Sequence, residues 1–373
     1  MVLYGVQERM DAMKFASDPF MFTEYYAPRG QQRLMDLGNA IASQHLKPSD
    51  LCIGILGEAG SGKSLIVRGM FPGLQLTNDD EAVYMRPLPL LEHYESGRFR
   101  NHTYHMDIRF EVAFTQPYLL AEAANAAIRA GRRVVIEHFE RLDGALGRHA
   151  DLLVGIGEEV IVARPNLFGP QAQDIANRVL RSIDFRRRVH TAEDIVCNIL
   201  DVVYGIPTST LVHGDVQRGF ILEFEEKPNF AVADVERLAK EQIAAGLDVC
   251  YLDEDHIRIG NDRIHCTGPR IHVANTADIP FFAMAPDFVY NPINDTWLVP
   301  PACPSSRDTA RPSRPSHRRA ACRRSSGERS GKRPASHSSA SASVTGERGS
   351  SSHRERTVGS RAAALSVSRR KAA

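Results

Sequence analysis

The first half of the chain alternates apolar runs with amphipathic stretches. The run at 51–57, LCIGILG, is apolar up to its glycine end, which is typical of a strand buried on both faces. Similar runs at 132–139, RRVVIEHF, and 158–165, EEVIVARP, predict two further strands. The stretch YLLAEAANAAIRAG at 118–131 predicts a helix that ends at its glycine. This alternation favours an α/β domain with a mostly parallel sheet and helices on both faces.

The second half groups its strands and helices in blocks instead. The stretch at 170–205 predicts one or two helices that end at Gly205, and 232–246 predicts another helix. Short strands are predicted at 208–216, 218–226, 249–253, 256–260 and 271–276. Blocks of this kind indicate an α+β domain.

These patterns divide the 373 residues into a loosely held leader at 1–28, an α/β domain at 29–168, an α+β domain at 169–299 and a tail at 300–373. Residues 301–373 hold 17 Arg and Lys against 4 Asp and Glu, without any Phe, Trp, Tyr, Ile or Met. Such a segment buries too little apolar surface to offset its ordering entropy, so we expect disorder. It is either a basic arm that contacts RNA, or a solvated or spuriously translated end without function.

Charge distribution, cysteine spacing and the absence of long apolar segments indicate the cellular compartment. The net charge of +1 averages the basic tail with an acidic remainder, in which 29 Arg and Lys face 41 Asp and Glu. The six cysteines lack the spacing of a disulfide scaffold, which favours the reducing cytoplasm. The N-terminus has no apolar signal core, and no window approaches 18 uninterrupted apolar residues, so we expect no membrane association.

A phosphate-binding loop follows the first predicted strand. The sequence GEAGSGKS matches G-x-x-x-x-G-K-[S/T] at every fixed position, between an apolar strand and a helix. Small residues let backbone N–H groups turn toward phosphate oxygens, and the helix adds its positive end. Lys63 would reach the β- and γ-phosphates, and the Ser64 hydroxyl would ligate Mg²⁺. The predicted ATP-binding residues are Gly57, Glu58, Ala59, Gly60, Ser61, Gly62, Lys63 and Ser64.

Such a loop also needs carboxylates for the metal and for water, and Asp107 in YHMDIRF and Glu137 in VVIEHFERL supply them. With these stretches the chain resembles TsaE, the small P-loop ATPase of tRNA threonylcarbamoyladenosine synthesis, over roughly residues 50–165. That family carries a G-x-x-G-x-G-K-T loop, an H-x-D-x-Y-R stretch and an I-E-W strand. The resemblance implies that Asp107 and Glu137 act with Lys63 in catalysis, with Asp107 serving Mg²⁺.

The chain departs from that family at two positions. Phe110 stands in place of part of the Y-R pair, and His138 replaces the tryptophan. The acidic segment TNDDE at 77–81 would either sense the γ-phosphate or form a solvated turn.

The second half carries two separated motifs in a fixed order. VHTAEDIV begins at 189, and CTGPRIHVANTADIPFF begins at 266. Over about residues 186–285 the chain resembles the second additional domain of alanyl- and threonyl-tRNA synthetases and its free-standing AlaX relatives. That family opens with H-T-x-x-H and closes with C-x-G-P-H-V-x-N-T, and it edits mischarged tRNA. The resemblance implies an α+β fold and the tRNA acceptor end, or aminoacyl-tRNA, as partner.

The family's motifs form a metal site, with two ligands at i and i+4 of a helix and a cysteine and histidine on a distant turn. The corresponding residues are His190, Asp194, Cys266 and His272. Aspartate replaces the family's second histidine, and five residues separate the last pair where the family has three. The set would hold Zn²⁺ or a harder metal, or it is a relic. His265 competes for the last place, and His213 either faces the pocket or is structural.

Together the resemblances imply an ATP-binding protein, an ATPase, whose second domain binds or deacylates aminoacyl-tRNA. Ester cleavage needs only a polarised carbonyl and an activated water. Two alternatives stay open: a small-molecule kinase acting on a nucleoside or metabolite, and a non-catalytic regulator that responds to nucleotide.

Overall fold

A computed structural model describes residues 21–77 and 88–299, which fall within one compact unit of the chain. The tail at 300–373, most of the predicted leader and most of the acidic segment at 77–81 lie outside the described residues. Among the described residues, no helix combines the length and apolar character needed to cross a membrane.

The described strands form three sheets. They are β1 Phe22–Tyr26, β2 Cys52–Gly57, β3 Thr103–Asp107, β4 Arg133–Glu137, β5 Leu152–Ile156, β6 Glu159–Ala163, β7 Val212–Val216, β8 Gly219–Phe224, β9 Val249–Asp253, β10 His256–Ile259, β11 Asp262–His265, β12 Val289–Asn291 and β13 Thr296–Val299. The α-helices are α1 Gln31–His45, α2 Lys63–Met70, α3 Pro89–Glu95, α4 Ile108–Glu111, α5 Pro117–Arg129, α6 Asp143–Leu146, α7 Ala172–Tyr204 and α8 Val232–Ala244.

The first half is built on a six-stranded sheet in the order β1-β6-β5-β2-β4-β3. The four strands β5, β2, β4 and β3 are parallel, while β6 and β1 are antiparallel to their neighbours. Helices α1 and α2 cover one face, and α5 and the first turns of α7 cover the other. The predicted mixed α/β class with a mostly parallel sheet is therefore confirmed.

Two details of this sheet differ from the sequence prediction. Strand β6 runs antiparallel because only Gly157 and Glu158 separate it from β5, which leaves no room for a crossover helix. Residues 22–26 of the predicted loose leader form the edge strand β1, which pairs with β6. That strand is stabilised by a partner more than 130 residues away, so its own short sequence gives little signal.

The second half contains a four-stranded antiparallel sheet, β12-β13-β8-β7, and a three-stranded one, β11-β10-β9. The strand predicted at 271–276 is wrong: Ile271–Val273 have no regular structure, and Thr276 begins a short 3-10 turn. Its β-branched residues are instead turned inward, with Ile271 and Val273 buried and the Thr276 hydroxyl donating to carbonyls of α8.

Helix α7 belongs to both halves. It is one continuous helix of 33 residues that ends at Gly205, whose φ of 67° suits glycine at a helix end. Ile175 and Val179 pack with the core of the six-stranded sheet, whereas Ile195 and Ile199 pack in the core of the second half. The helix begins just after the predicted domain border at 168 and continues through both cores.

Candidate functional site

The glycine-rich loop connects the central strand β2 to α2. Gly57, Gly60 and Gly62 have φ values of 141°, 83° and 99°, a region that side chains rarely adopt. A Cβ on Gly57 would also lie 2.7 Å from the carbonyl oxygen of Ile156. The loop therefore requires the glycines that its motif prescribes.

Lys63 and Ser64 begin α2 and meet the end of β4. The Lys63 ammonium donates to the carbonyl oxygen of Glu58 at 3.0 Å and lies 3.9 Å from the Glu137 carboxylate. The Ser64 hydroxyl donates to Glu137 Oε1 at 2.9 Å. Burial lowers the pKa of Lys63, while the nearby carboxylates of Glu137 and Asp107 oppose that shift.

Glu137 is buried, and a histidine holds it in place. The Thr77 N–H donates to His105 Nδ1 at 3.1 Å, so that nitrogen is an acceptor and the opposite nitrogen carries the proton. His105 Nε2–H then faces Glu137 Oε1 at 3.3 Å. Burial alone would raise the pKa of Glu137, but the hydrogen bond and electrostatic attraction of His105, the charge of Lys63 and the hydrogen bond from Ser64 lower it to about 2. The carboxylate stays ionised inside the protein.

Asp107 ends β3 directly beside Glu137 at the end of β4. Its carboxylate accepts the N–H of Arg109 at 2.9 Å and so caps the short helix α4. The four predicted residues Lys63, Ser64, Asp107 and Glu137 therefore meet at the carboxyl edge of the parallel strands. Ligands of open α/β sheets bind at this edge.

The turn after β4 holds His138, which the sequence marks as a departure from the TsaE-like pattern, and Glu140, which the motifs do not mark. His138 is buried, with a φ of 58° in the left-handed region, which is uncommon for a residue with a side chain. Its Nδ1 lies 3.5 Å from Glu140 Oε1, and Glu140 Oε2 is buried without a hydrogen-bond partner. The only sequence signal for Glu140 is its closeness to Glu137.

The second predicted site also assembles. The ligand atoms of His190, Asp194, Cys266 and His272 all lie within 4.8 Å of one another. Cys266 Sγ is 3.5 Å from His190 Nε2 and 3.3 Å from His272 Nε2, and His272 Nε2 is 3.5 Å from Asp194 Oδ2. Neighbouring ligands on a tetrahedral Zn²⁺ are about 3.4–3.6 Å apart. The cluster has the size of such a site.

Both imidazoles turn an unprotonated nitrogen toward the centre of the cluster. His190 Nδ1 lies 3.1 Å from the carbonyl oxygen of Ile271, which can only accept, so Nδ1 carries the proton. The Thr191 hydroxyl donates to the carbonyl of Arg187, so its oxygen accepts from His272 Nδ1 at 3.2 Å. The Nε2 lone pairs of both histidines therefore face Cys266, which is how outer hydrogen bonds prepare histidine for a metal.

The two histidines are in the form that binds a metal, whereas Asp194 and Cys266 would release their protons when a metal binds. Burial lowers the pKa of His272 to about 3 and that of His190 well below its ordinary value, so both stay neutral. Burial raises the pKa of Asp194 and of Cys266 well above their ordinary ranges. Asp194 Oδ2 is buried without a hydrogen-bond partner, because the adjacent His272 Nε2 has no proton to donate. A cation would satisfy that oxygen, so the residues fit Zn²⁺ or a similar ion.

The two other histidines considered from the sequence lie elsewhere. His265 is exposed on β11 and packs edge-on against His256. His213 contacts Glu193 at 2.8 Å in a buried ionic network, where Glu193 also binds Arg29 at 2.6 Å. The longer spacing after Cys266 therefore does not remove His272 from the cluster.

No model of a known protein family matches the chain, and no curated protein matches it.

Proposed function

We propose that this chain binds ATP with Mg²⁺ at residues 57–64 and hydrolyses it, and that its second half binds the acceptor end of an aminoacyl-tRNA. The observation that carries the first part is the contact between the Ser64 hydroxyl and the buried, ionised Glu137 beside the Lys63 ammonium. A hydroxyl, an ammonium and a carboxylate at the end of a glycine loop are the groups that a magnesium–triphosphate complex requires.

The residues around the loop have distinct roles in this proposal. Lys63 exchanges its bond to the Glu58 carbonyl for phosphate oxygens, and the backbone N–H groups of the loop bind the same anion. Ser64 and Asp107 would hold Mg²⁺, which supplies charge neutralisation when bound. Glu137, kept anionic by His105, accepts from Ser64 and orients it. Glu140, whose Oε2 is buried and unpaired and whose charge acts on Lys63, is the candidate to orient the attacking water.

The geometry of the second site favours a supporting metal over a catalytic one. Four protein ligands would complete a tetrahedron around Zn²⁺, whereas a catalytic zinc keeps one position open for water. His190 and Cys266 are almost fully buried, so no tRNA ester could reach the ion directly. We therefore propose that this half binds the RNA end and that the metal does not cleave the ester. The order of its motifs, which resembles the synthetase editing domains, supports this ligand.

The test is to measure ATP turnover by the full chain with Mg²⁺, with and without aminoacyl-tRNA, and to identify the product. Free phosphate, stimulation by aminoacyl-tRNA and intact ester bonds are the expected results. A phosphorylated nucleoside or metabolite in place of free phosphate would favour the kinase alternative. Tight ATP binding without turnover would favour the regulator, and absence of tRNA binding would reject the second half of the proposal.

A further inference from the structure

One segment of the chain lies between the two sites. Residues 266–272 begin at Cys266 and end at His272, so both ends belong to the metal cluster. Between them, the carbonyl oxygen of Arg270 lies 3.2 Å from the position of a Cβ on Gly60, in the middle of the phosphate loop. Such a distance is tighter than ordinary contact, so the segment packs directly on the loop.

The same segment is also fixed on its other side. A Cβ on Gly268 would lie 2.1 Å from the Arg29 carbonyl oxygen and 2.9 Å from His190 Cε1. The carbonyl oxygen of Thr267 accepts the N–H of Gln31, the first residue of α1, at 3.0 Å. The segment therefore has no room to move away from the phosphate loop while the cluster stays assembled.

Helix α7 is a second connection between the metal cluster and the phosphate loop. Arg186, His190 and Asp194 follow each other at intervals of four and share one face of the helix. Arg186 donates to the carbonyl oxygen of Ser61 at 2.8 Å and to that of Gly157 at 3.3 Å. The neighbouring Arg187 binds the Glu58 carboxylate at 2.9 Å. The helix that supplies two metal ligands thus also holds the phosphate loop.

Arg186, which binds the phosphate loop, is only 1 % exposed, and this is unusual for a charged side chain. A guanidinium out of water is costly unless hydrogen bonds satisfy it, and here backbone carbonyls of three segments accept from both of its terminal nitrogens, while Nε stays without a partner. Burial lowers the pKa of Arg186 to about 9, which leaves it charged at neutral pH. Its charge binds it to the loop carbonyl, so α7 and the loop move together.

We infer that the metal cluster positions the phosphate loop: a bound Zn²⁺ fixes segment 266–272 and α7 against Gly60 and Ser61, and raises the affinity of the loop for nucleotide. The inference rests on the proposed nucleotide binding and adds its regulation. Coupling between two sites is reciprocal, so nucleotide raises the affinity for Zn²⁺ by the same factor. We expect a factor of about ten, within the range usual for coupled sites.

The experiment is a pair of titrations on the full chain. The dissociation constant of a non-hydrolysable ATP analogue with Mg²⁺ is measured on zinc-loaded protein and on protein stripped with a chelator and freed of it. The affinity for Zn²⁺ is measured by competition with a chromogenic chelator, with and without the analogue. We expect about tenfold weaker nucleotide binding without zinc, and the same ratio in the zinc titration.

Variants separate the coupling from folding. Cys266→Ser removes a ligand and should bind nucleotide as stripped protein does. Arg187→Gln removes the ion pair with Glu58 but leaves all four ligands. It should keep its zinc, and the ratio of nucleotide dissociation constants between stripped and zinc-loaded protein should be smaller. Arg237→Gln removes an ion pair with Glu241 on α8, which is more exposed and far from both sites in sequence, and should behave as the unchanged protein. If stripped protein does not fold, the nucleotide affinities of the zinc-loaded Arg187→Gln and Arg237→Gln variants are compared instead.

The outcomes distinguish the two proposals. Equal nucleotide affinity with and without zinc, or no zinc bound at all, overturns the coupling and leaves the proposed nucleotide site standing. The coupling is also overturned if Arg187→Gln and Arg237→Gln show the same ratio of nucleotide affinities with and without zinc. Absence of nucleotide binding in the zinc-loaded protein rejects the proposed function itself.

Discussion

Single histidines take opposite roles in this protein because of what their outer nitrogen contacts. His105 receives a backbone N–H on Nδ1 and therefore presents a donor to Glu137. His190 and His272 contact acceptors through Nδ1 and therefore present lone pairs to Cys266. One neighbouring atom thus decides whether an imidazole stabilises an anion or is ready to bind a cation.

At this scale Lys63 is the first residue to test. Lys63→Ala removes the only ammonium beside Glu137 among the described contacts, so phosphate binding should weaken at least about 100-fold, the loss of a buried charged contact of roughly 3 kcal/mol. Titration with a fluorescent ATP analogue measures it. Lys240→Ala, an exposed lysine on α8, is the matched control and should bind normally. Unchanged affinity in Lys63→Ala would rule out the phosphate site.

Glu137 makes a prediction about pH. Its pKa of about 2 lies below the usual 4.5, so its ionised form favours folding by about 3 kcal/mol. That contribution is complete above pH 4.5 and disappears as the pH falls toward 2. Unfolding by urea should therefore show a stability gap between the unchanged protein and Glu137→Gln that narrows across this interval.

The control for that measurement is Glu241→Gln, which alters an exposed carboxylate on α8. Its stability should follow the unchanged protein at every pH, because exposed ion pairs contribute little. A gap for Glu137→Gln that stays constant from pH 4.5 to 2 would contradict the role of burial and hydrogen bonding described for Glu137.

At the scale of elements, α7 organises the metal cluster through more than its two ligands. Thr191 lies one residue after His190 and is fully buried. Its hydroxyl accepts from His272 Nδ1 and from the N–H of Val273, both at 3.2 Å. The helix therefore orients the distant half of the cluster as well as its own.

Thr191→Val keeps the shape of the side chain and removes those hydrogen bonds. Zinc affinity should fall about 10- to 100-fold, the usual cost of losing an outer hydrogen bond to a metal ligand. Chelator competition measures it, and Thr210→Val, whose hydroxyl bonds only within an exposed turn, should leave the affinity unchanged. Equal affinities in the two variants would show that Thr191 does not orient His272.

Elements with a strong local signal could be predicted from the sequence. The strand before Gly57, the helix ended by Gly131 and the helix ended by Gly205 are all found, because each combines periodicity with a local stop signal. The glycine-rich loop at 57–62 is also found, because its motif is local in sequence. Strand β1 and the antiparallel direction of β6 depend on pairing between distant segments, which periodicity does not report.

The candidate sites divide in the same way. Lys63, Ser64, Asp107 and Glu137 follow from motifs, and parallel strand ends bring them to one edge. The place of His272 could not be derived from its spacing, because an irregular segment replaces the predicted strand. Arg186 gave no signal, since its acceptor on Ser61 lies 125 residues away in sequence.

At the scale of the molecule, the two halves are joined through their interiors. Helix α7 contributes to both cores, and Arg29, just before α1, binds Glu193 and Asp215 of the second half. Separating the halves would therefore break buried ion pairs and expose apolar side chains of α7 that belong to the two cores.

We therefore expect the described part of the protein to unfold in one cooperative step. Fluorescence of Trp297, the single tryptophan, reports the second half, while far-ultraviolet circular dichroism reports both. The two denaturation curves should coincide, with calorimetric and van't Hoff enthalpies equal. Two separate transitions, of which zinc removal shifts only one, would contradict this expectation.

Gly268 lies between the Arg29 carbonyl oxygen and His190, with no space for a side chain. This limits which chimeras of the protein could fold. A chimera that joined this phosphate loop to a foreign C-terminal half would need a residue without a side chain at that point, and an arginine one turn before the first histidine of its long helix. The two halves therefore have to come from the same protein. A chimera joined near residue 168 would combine two surfaces that do not fit each other.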